Sequence, residues 1–286
     1  MYFTSDLISV LCPTRMRPEN VIKLISTARS TANRPELIEF IFYVDNDDDS
    51  FPDISNVKVI RGPRIWISNA HNVIYTEAQG EILMTAGDDM EFLTSNWDEA
   101  IRSKFQAIPD RIGLVFGNDL GTHAGKIAVH GFFHQSWVSA LGTWVQPGRG
   151  SLWDLWSTDV AKKLHRFFYL PDVHIKHVHY RQGKKEAVFD ATYKHVYASN
   201  SAFSPQITYK LLARERRIDR ILLAEVMNPK PPIEINYLLS SLCLFLMKEK
   251  LHLALRRKLQ TLTNIQVILL PYRIILMRIT RLKRFR

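Results

Sequence analysis

The chain has almost no cysteine. Its 286 residues contain two, Cys12 and Cys243, each inside an apolar run, so neither a disulfide framework nor a cysteine-based zinc site can be assembled. A reducing, cytosolic compartment is the expectation. Long hydrophobic runs are missing as well: the best stretch, 262–280, is interrupted by Pro271, Arg273 and Arg278, which argues against a spanning helix of the usual about 18–20 apolar residues. The opening MYFTSDLISVLCPT lacks the basic start and extended apolar segment of a secretory signal and reads instead as a first strand. No internal repeat is evident.

Charge is present but lopsided. The net charge is +10, and from Lys230 to Arg286 twelve Lys and Arg face only Glu234 and Glu249, an imbalance equal to the whole excess. The first 229 residues are therefore neutral overall, and any attraction to an anionic partner belongs to the C-terminal part. Asn228 to Pro232, with three prolines, marks the boundary.

Apolar, β-rich runs at 7–12 (LISVLC) and 38–45 (IEFIFYVD) flank a stretch whose Val21, Ile22, Leu24, Ile25 and Ala28 have helical spacing, giving a β-α-β start. A strand at 57–60, a helix at about 67–78 and a strand at 81–86 continue the alternation, which implies a mostly parallel sheet. IGLVF at 112–116 is a further strand. The aromatic, Gly-containing segment 117–150 reads as a loop region facing an acceptor, with a short helix at Gln135–Leu141. A helix at 152–164, a strand FFYLPDVHI and a helical 190–224 broken at Ser204 and Pro205 complete the first part.

The most informative stretch is EILMTAGDDMEF, 81–92, an apolar strand ending in Gly87, Asp88 and Asp89, with Glu91 close behind. Acids at the C-terminal end of a strand stand where open α/β sheets place ligands. Burying adjacent carboxylates without a cation costs several kcal/mol, so the cluster suits a hard ion, Mg2+ or Mn2+, bridging to a diphosphate. A solvated Gly-Asp-Asp turn is the plainer alternative.

This constellation resembles the GT-A fold glycosyltransferases, family 2-like, of small viral and bacterial type, over roughly residues 7–180. The resemblance implies an α/β Rossmann-like fold and transfer of a sugar from a UDP- or GDP-sugar to an acceptor hydroxyl. It implies a catalytic domain over 1–228 and a basic amphipathic helical tail over 229–286. Pro13, Thr14, Arg15 and Arg17, after the first strand, correspond to groups that clasp the nucleotide, the arginines reaching phosphate. Asp45, with Asp47 behind it, resembles the carboxylate that accepts from base or ribose, whereas Asp48 and Asp49 read as turn residues. Asn72 lies eight residues before Gly80, as in the family, with Ser68 and Asn69 at the nucleotide-facing start of the same helix.

Counted on from Gly80, the family's two metal-motif acids fall at Gly87 and Asp89. The chain departs from the pattern at the first, leaving Asp89 as metal ligand and Asp88 as a donor-site residue able to substitute. Asp154, in a helix first turn, resembles the general base of an inverting displacement; an alternative alignment gives that role to Asp159. His177 and His179, two apart on one strand face, resemble the histidine that completes the metal site, His177 being favoured. Trp137, Trp144, Trp153 and Trp156 can stack on rings or pack in a core.

The tail suits an anionic membrane surface at the inner face, a nucleic acid, or packing on its own domain. The acceptor is correspondingly open: a glycan, a lipid-linked glycan or modified DNA. Two other readings stand beside the transferase. A nucleotidyltransferase would want a Gly-rich phosphate loop, and LCPTRMRPEN is poor in Gly. A degenerate, non-catalytic module would explain Gly87.

Overall fold

The computed structural model describes residues 4–121, 123–145, 152–178, 190, 209–210 and 212–228. The chain divides into two units, Met1–Met227 and Asn228–Arg286. The expectation for the tail, 229–286, and the one for His179 lie outside the described residues.

In chain order the elements are β1 (Thr4–Thr14), α1 (Pro18–Thr31), β2 (Ile38–Asp45), β3 (Lys58–Gly62), α2 (Ile67–Tyr75), β4 (Gly80–Thr85) and β5 (Met90–Phe92). They continue with α3 (Trp97–Gln106), β6 (Leu114–Asn118), β7 (Phe132–His134), α4 (Gln135–Leu141), α5 (Trp153–Lys163), β8 (Phe167–His177) and α6 (Ala213–Met227). The strands form one sheet in the order β3-β2-β1-β4-β7-β6-β8-β5. β1 to β4 run parallel, as do β6 and β8, while β7 is antiparallel to both its neighbours and β5 is antiparallel to β8. The expected class, a mostly parallel α/β sheet flanked by helices, is the one present.

Alternation along the strands explains the layers. Ile8, Val10 and Cys12 of β1, Phe40, Phe42 and Val44 of β2, and Ile82 and Met84 of β4 share one core with α1 and α3. Leu11, Ile41, Tyr43 and Leu83 face the opposite way, into a second core with α2, α4, α5 and Leu223 of α6. Strands covered on both faces need apolar residues at consecutive positions, which is how β1 and β2 read. α1 begins with Pro18 at a position needing no amide hydrogen bond and buries Val21, Leu24, Ile25 and Ala28, the helical face seen in the sequence.

Three elements escape the periodicity. β5 and β7 have three residues each, too few for an alternation to register, and α3 lies in a charged stretch. α3 is anchored by an internal ion pair: Arg102 and Asp98, both with fully buried side chains, pair through Nη1 and Oδ2. Asp98 also accepts the amides of Asn33 and Arg34, at 2.7 and 3.0 Å, and Arg102 donates to the carbonyls of Asp6 and Leu37. This network holds the connection from α1 to β2. Helix α2 ends at Tyr75 rather than at 78, passing into the turn that precedes Gly80.

Candidate functional site

The parallel strands β1, β2 and β4 end together, at Thr14, Asp45 and Thr85, and their following residues form one rim. Asp88 and Asp89 follow β4 on this rim but face different partners. Asp88 is buried: its Oδ2 accepts from Thr14 Oγ1 at 2.7 Å and its Oδ1 from Arg17 Nη1 at 2.9 Å. Burial pushes its carboxyl up, Arg17 and the Thr14 hydroxyl oppose this, and the charge of Asp89 adds to the rise. Asp88 is thus a clasp between strand ends, and it is not in the three-residue group that could hold an ion.

That group is Asp89, His130 and His177, whose ligand atoms all lie within 4.8 Å of one another. His177 Nε2 is 3.3 Å from Asp89 Oδ2, and the rings of His130 and His177 meet edge to face at 4.7 Å between centroids. Two strand pairings create the group. β5 pairs with β8 so that Met90 is opposite His177, and the Val178 amide donates to the Asp89 carbonyl at 2.7 Å. β7 runs antiparallel to β4 with Met84 opposite Phe132, and Thr85 and Gly131 bond reciprocally, which brings the preceding His130 beside the end of β4.

The residues fit a divalent cation. Metal–ligand bonds of about 2.1 Å put adjacent ligand atoms about 3.0–3.4 Å apart, and the Asp89–His177 separation falls there. Both ring nitrogens of His130 are buried without a well-formed hydrogen bond to a described residue, and a bound ion would take one of them. Burial pushes His130 down to about 3, so its ring is neutral with a lone pair for a cation. His71, fully buried and packed at 5.6 Å on the Trp153 ring, is likewise pushed down to about 3 by burial.

Both arginines expected at phosphate are held by acids. Arg15 Nη1 donates to Asp45 Oδ2 at 2.9 Å, and its guanidinium forks onto Asp47, with Nη2 at 2.8 Å from Oδ2. This pairing raises Arg15 and lowers the exposed Asp47. Arg17 bridges Asp88 and Asp190, gripping the latter at 2.7 and 3.0 Å. Asp48 is the turn residue expected, accepting the Met16 and Ser50 amides. Pro13 lies in β1 opposite Tyr43, and on α2 Ser68 is buried while Asn69 is exposed. Asn72 is engaged with the backbone of Val145: its Nδ2 donates to the carbonyl at 2.7 Å and its Oδ1 accepts the amide at 3.0 Å. It fastens the segment before 146–151 to α2. Glu91 pairs with Lys23 at 2.6 Å, outside the metal group.

Asp154 stands in the first turn of α5, with Oδ1 accepting the Leu155 amide at 2.7 Å. Burial pushes it up to about 7, against the hydrogen bond from its own helix and the attraction of nearby His177. Asp159, the alternative base, is instead paired with Lys163 at 3.0 Å and Arg216 at 3.2 Å, joining α5 to α6. Of the tryptophans, Trp137, Trp144 and Trp156 are buried around a cavity of about 20 Å³, room for about one water, and Trp156 Nε1 donates to Asp219 at 2.8 Å. Packing, rather than ring stacking on a ligand, accounts for these three.

Sequence reasoning missed His130 and Asp119. His130 lay in what reads as loop, and the apolar pair in HGFFH was the available signal for β7. Asp119, just past β6, accepts the His177 amide on its carbonyl at 3.1 Å and keeps a buried Oδ2 without a partner among the described residues.

No protein-family model matches the chain, and no curated protein matches it. Among solved structures it is similar to residues 1–349 of S. aureus TarS, at 12% identity and a TM-score of 0.47, covering 78% of this chain and 81% of that one. The same TarS fragment in complex with UDP-GlcNAc gives 13% identity and a TM-score of 0.46, with 78% and 72% covered. The mannosyltransferase PcManGT from Pyrobaculum calidifontis, in complex with GDP-Man and Mn2+, gives 14% and 0.47, with 84% and 80% covered. All are distant, and the site is read from its own geometry.

Proposed function

We propose that residues 1–228 form a metal-dependent glycosyltransferase that moves a sugar from a nucleotide-sugar donor to an acceptor hydroxyl with inversion. The observation carrying this is the Asp-His-His group at the sheet rim, with Asp154 at the start of α5 raised by burial and within electrostatic reach of His177.

In this reading Asp45, oriented by Arg15, accepts from the base or ribose of the donor. Asp89 and His177 would hold the cation, which when bound would neutralise the diphosphate oxygens and assist departure of the nucleoside diphosphate. Asp154 takes the acceptor's hydroxyl proton as the acceptor oxygen forms its bond to the anomeric carbon. The bond from that carbon to the diphosphate oxygen breaks, and its electron pair leaves with the nucleotide. Attack from the face opposite the leaving group inverts the centre.

The lack of Gly in LCPTRMRPEN supports this over nucleotidyl transfer. Residues 229–286, carrying the whole positive excess, form in this reading a separate basic unit attaching the enzyme to an anionic surface. Among the described residues no helix is long and apolar enough to cross a membrane.

The test is calorimetric titration with a UDP-sugar and a GDP-sugar, each with and without Mn2+. Metal-dependent binding of one donor that disappears in Asp89→Ala is the expected result. Absence of binding under every condition would sink the transferase reading.

A further inference from the structure

The resemblance places an acid at position 87, and the chain has Gly87. Its backbone does not require glycine, because Gly87 is not among the residues with positive φ. Space does. A Cβ at 87 would stand 2.7 Å from Asp89 Oδ1, 3.1 Å from His130 Cε1 and 3.7 Å from His130 Nε2. A side chain at 87 and the His130 ring therefore compete for one volume, on the side of Asp89 that faces the imidazoles.

The exchange changes the chemistry of the donor set. With an acid at 87 in place of His130 the set would be two carboxylates and one imidazole, mostly oxygen, which is closer to the preference of Mg2+ and Ca2+. One carboxylate with two neutral imidazoles offers nitrogen at two positions, which suits first-row transition ions. Mg2+ sheds water reluctantly and gains little from imidazole.

We propose that His130 is a metal ligand occupying the room left by Gly87, and that the set Asp89, His130 and His177 selects transition ions such as Mn2+, Co2+ or Zn2+ over Mg2+ and Ca2+. This rests on the reading that the Asp89 group holds a divalent ion, and it adds which ion and by which third ligand. The consequence is an enzyme served poorly by Mg2+ even where that ion is abundant.

The experiment uses the full chain, stripped with chelator and titrated separately with MnCl2, CoCl2, ZnCl2 and MgCl2 in a calorimeter, with no nucleotide present. The visible absorption of bound Co2+ reports its ligand field and geometry, which change when an imidazole ligand is lost. The expected result is binding of Mn2+, Co2+ and Zn2+ at least about tenfold tighter than Mg2+, with a Co2+ spectrum that changes in His130→Ala and His130→Gln. Both variants should lose at least about tenfold in Co2+ affinity, the loss already seen when mere supports of a ligand are removed. His130→Gln keeps most of the side-chain volume, so circular dichroism on both variants separates ligand loss from misfolding. The double variant Gly87→Asp/His130→Ala returns a carboxylate to the vacated volume and should narrow the gap between Mg2+ and Co2+.

Equal affinity of the parent protein for Mg2+ and Mn2+ would overturn the proposal. So would folded His130 variants with unchanged Co2+ affinity and spectrum, while leaving the metal site of the proposed function standing. Failure of every ion to bind would overturn both at once.

Discussion

His177 Nε2 and Asp89 Oδ2 lie 3.3 Å apart although Asp89 sits in the turn before β5 and His177 ends β8, because β5 and β8 pair antiparallel with Met90 opposite His177. The separation is that of two ligands on one cation, and the pairing depends on strand register. Each side chain comes with its backbone already fixed, so little ordering is left for the ion to impose.

His177→Ala should therefore weaken Mn2+ binding by at least about tenfold while lowering the melting temperature only slightly. Chelator treatment of the parent protein should reduce donor affinity to the level of Asp89→Ala. Calorimetry with and without chelator checks both. Equal donor affinity in the stripped and loaded protein would contradict the arrangement.

Asp154→Asn should lower kcat by about 10²–10⁴ with KM little changed, since a general base acts in the transition state rather than in donor binding. Burial raises Asp154 to about 7, and the base works only when ionised, so kcat/KM should rise with pH and level off above about that value. A bound cation near His177 favours the ionised form and moves the midpoint downward, so the metal-loaded enzyme should keep the limb at lower pH. A pH–rate profile at saturating Mn2+ tests this.

Asp159→Asn should behave differently. It breaks the bridge from α5 to Arg216, whose guanidinium is buried and lies 3.6 Å from the Tyr209 ring centroid. The expected outcome is a stability loss of about 1–3 kcal/mol by denaturant titration, with the pH limb of kcat/KM in place. A transfer rate that falls with Asp159→Asn and survives Asp154→Asn would reverse the two roles.

The Asp98–Arg102 pair has no exposed side-chain surface, so removing one partner leaves a charge buried alone. Arg102→Met should cost about 3–5 kcal/mol in urea unfolding. Burial works to raise Asp98, but the Asn33 and Arg34 amides and the Arg102 guanidinium outweigh it and hold the carboxyl below its ordinary value. A depressed carboxylate contributes its stability in full above the ordinary carboxylate range and loses it as pH falls through that range. The difference between parent and Arg102→Met should accordingly shrink on acidification below about pH 4.

Arg17→Met should act through Asp88. With the guanidinium gone, the buried Asp88 keeps the Thr14 hydroxyl as its remaining neutral partner, and its carboxyl, already raised, should rise further. The variant should be less stable than the parent at neutral pH and closer to it in acid, where Asp88 is protonated in both. Thermal melts across that range give the measurement.

The strands β1, β2 and β4, the helices α1, α4 and α5, and the acids that end β2 and β4 were legible in the sequence. Each is a local pattern: an alternation, a 3.6-residue spacing, or polar residues where an apolar run stops. Asp45 and Asp89 could be singled out because they sit at such stops, and Asp154 and His177 because the resemblance implied them. What the sequence could not fix is which of them meet. That Arg15 turns to Asp45 and Arg17 to Asp88, that Asn72 fastens Val145, and that Asp159 joins two helices all follow from contacts between segments far apart in the chain. His130 is the sharpest case: alone in a loop-like stretch it carries no signal, and only the antiparallel insertion of three-residue β7 beside β4 brings its ring into the space that Gly87 leaves open. Local periodicity determines which face a residue shows, while sheet register, decided by the packing of both cores at once, determines what that face finds.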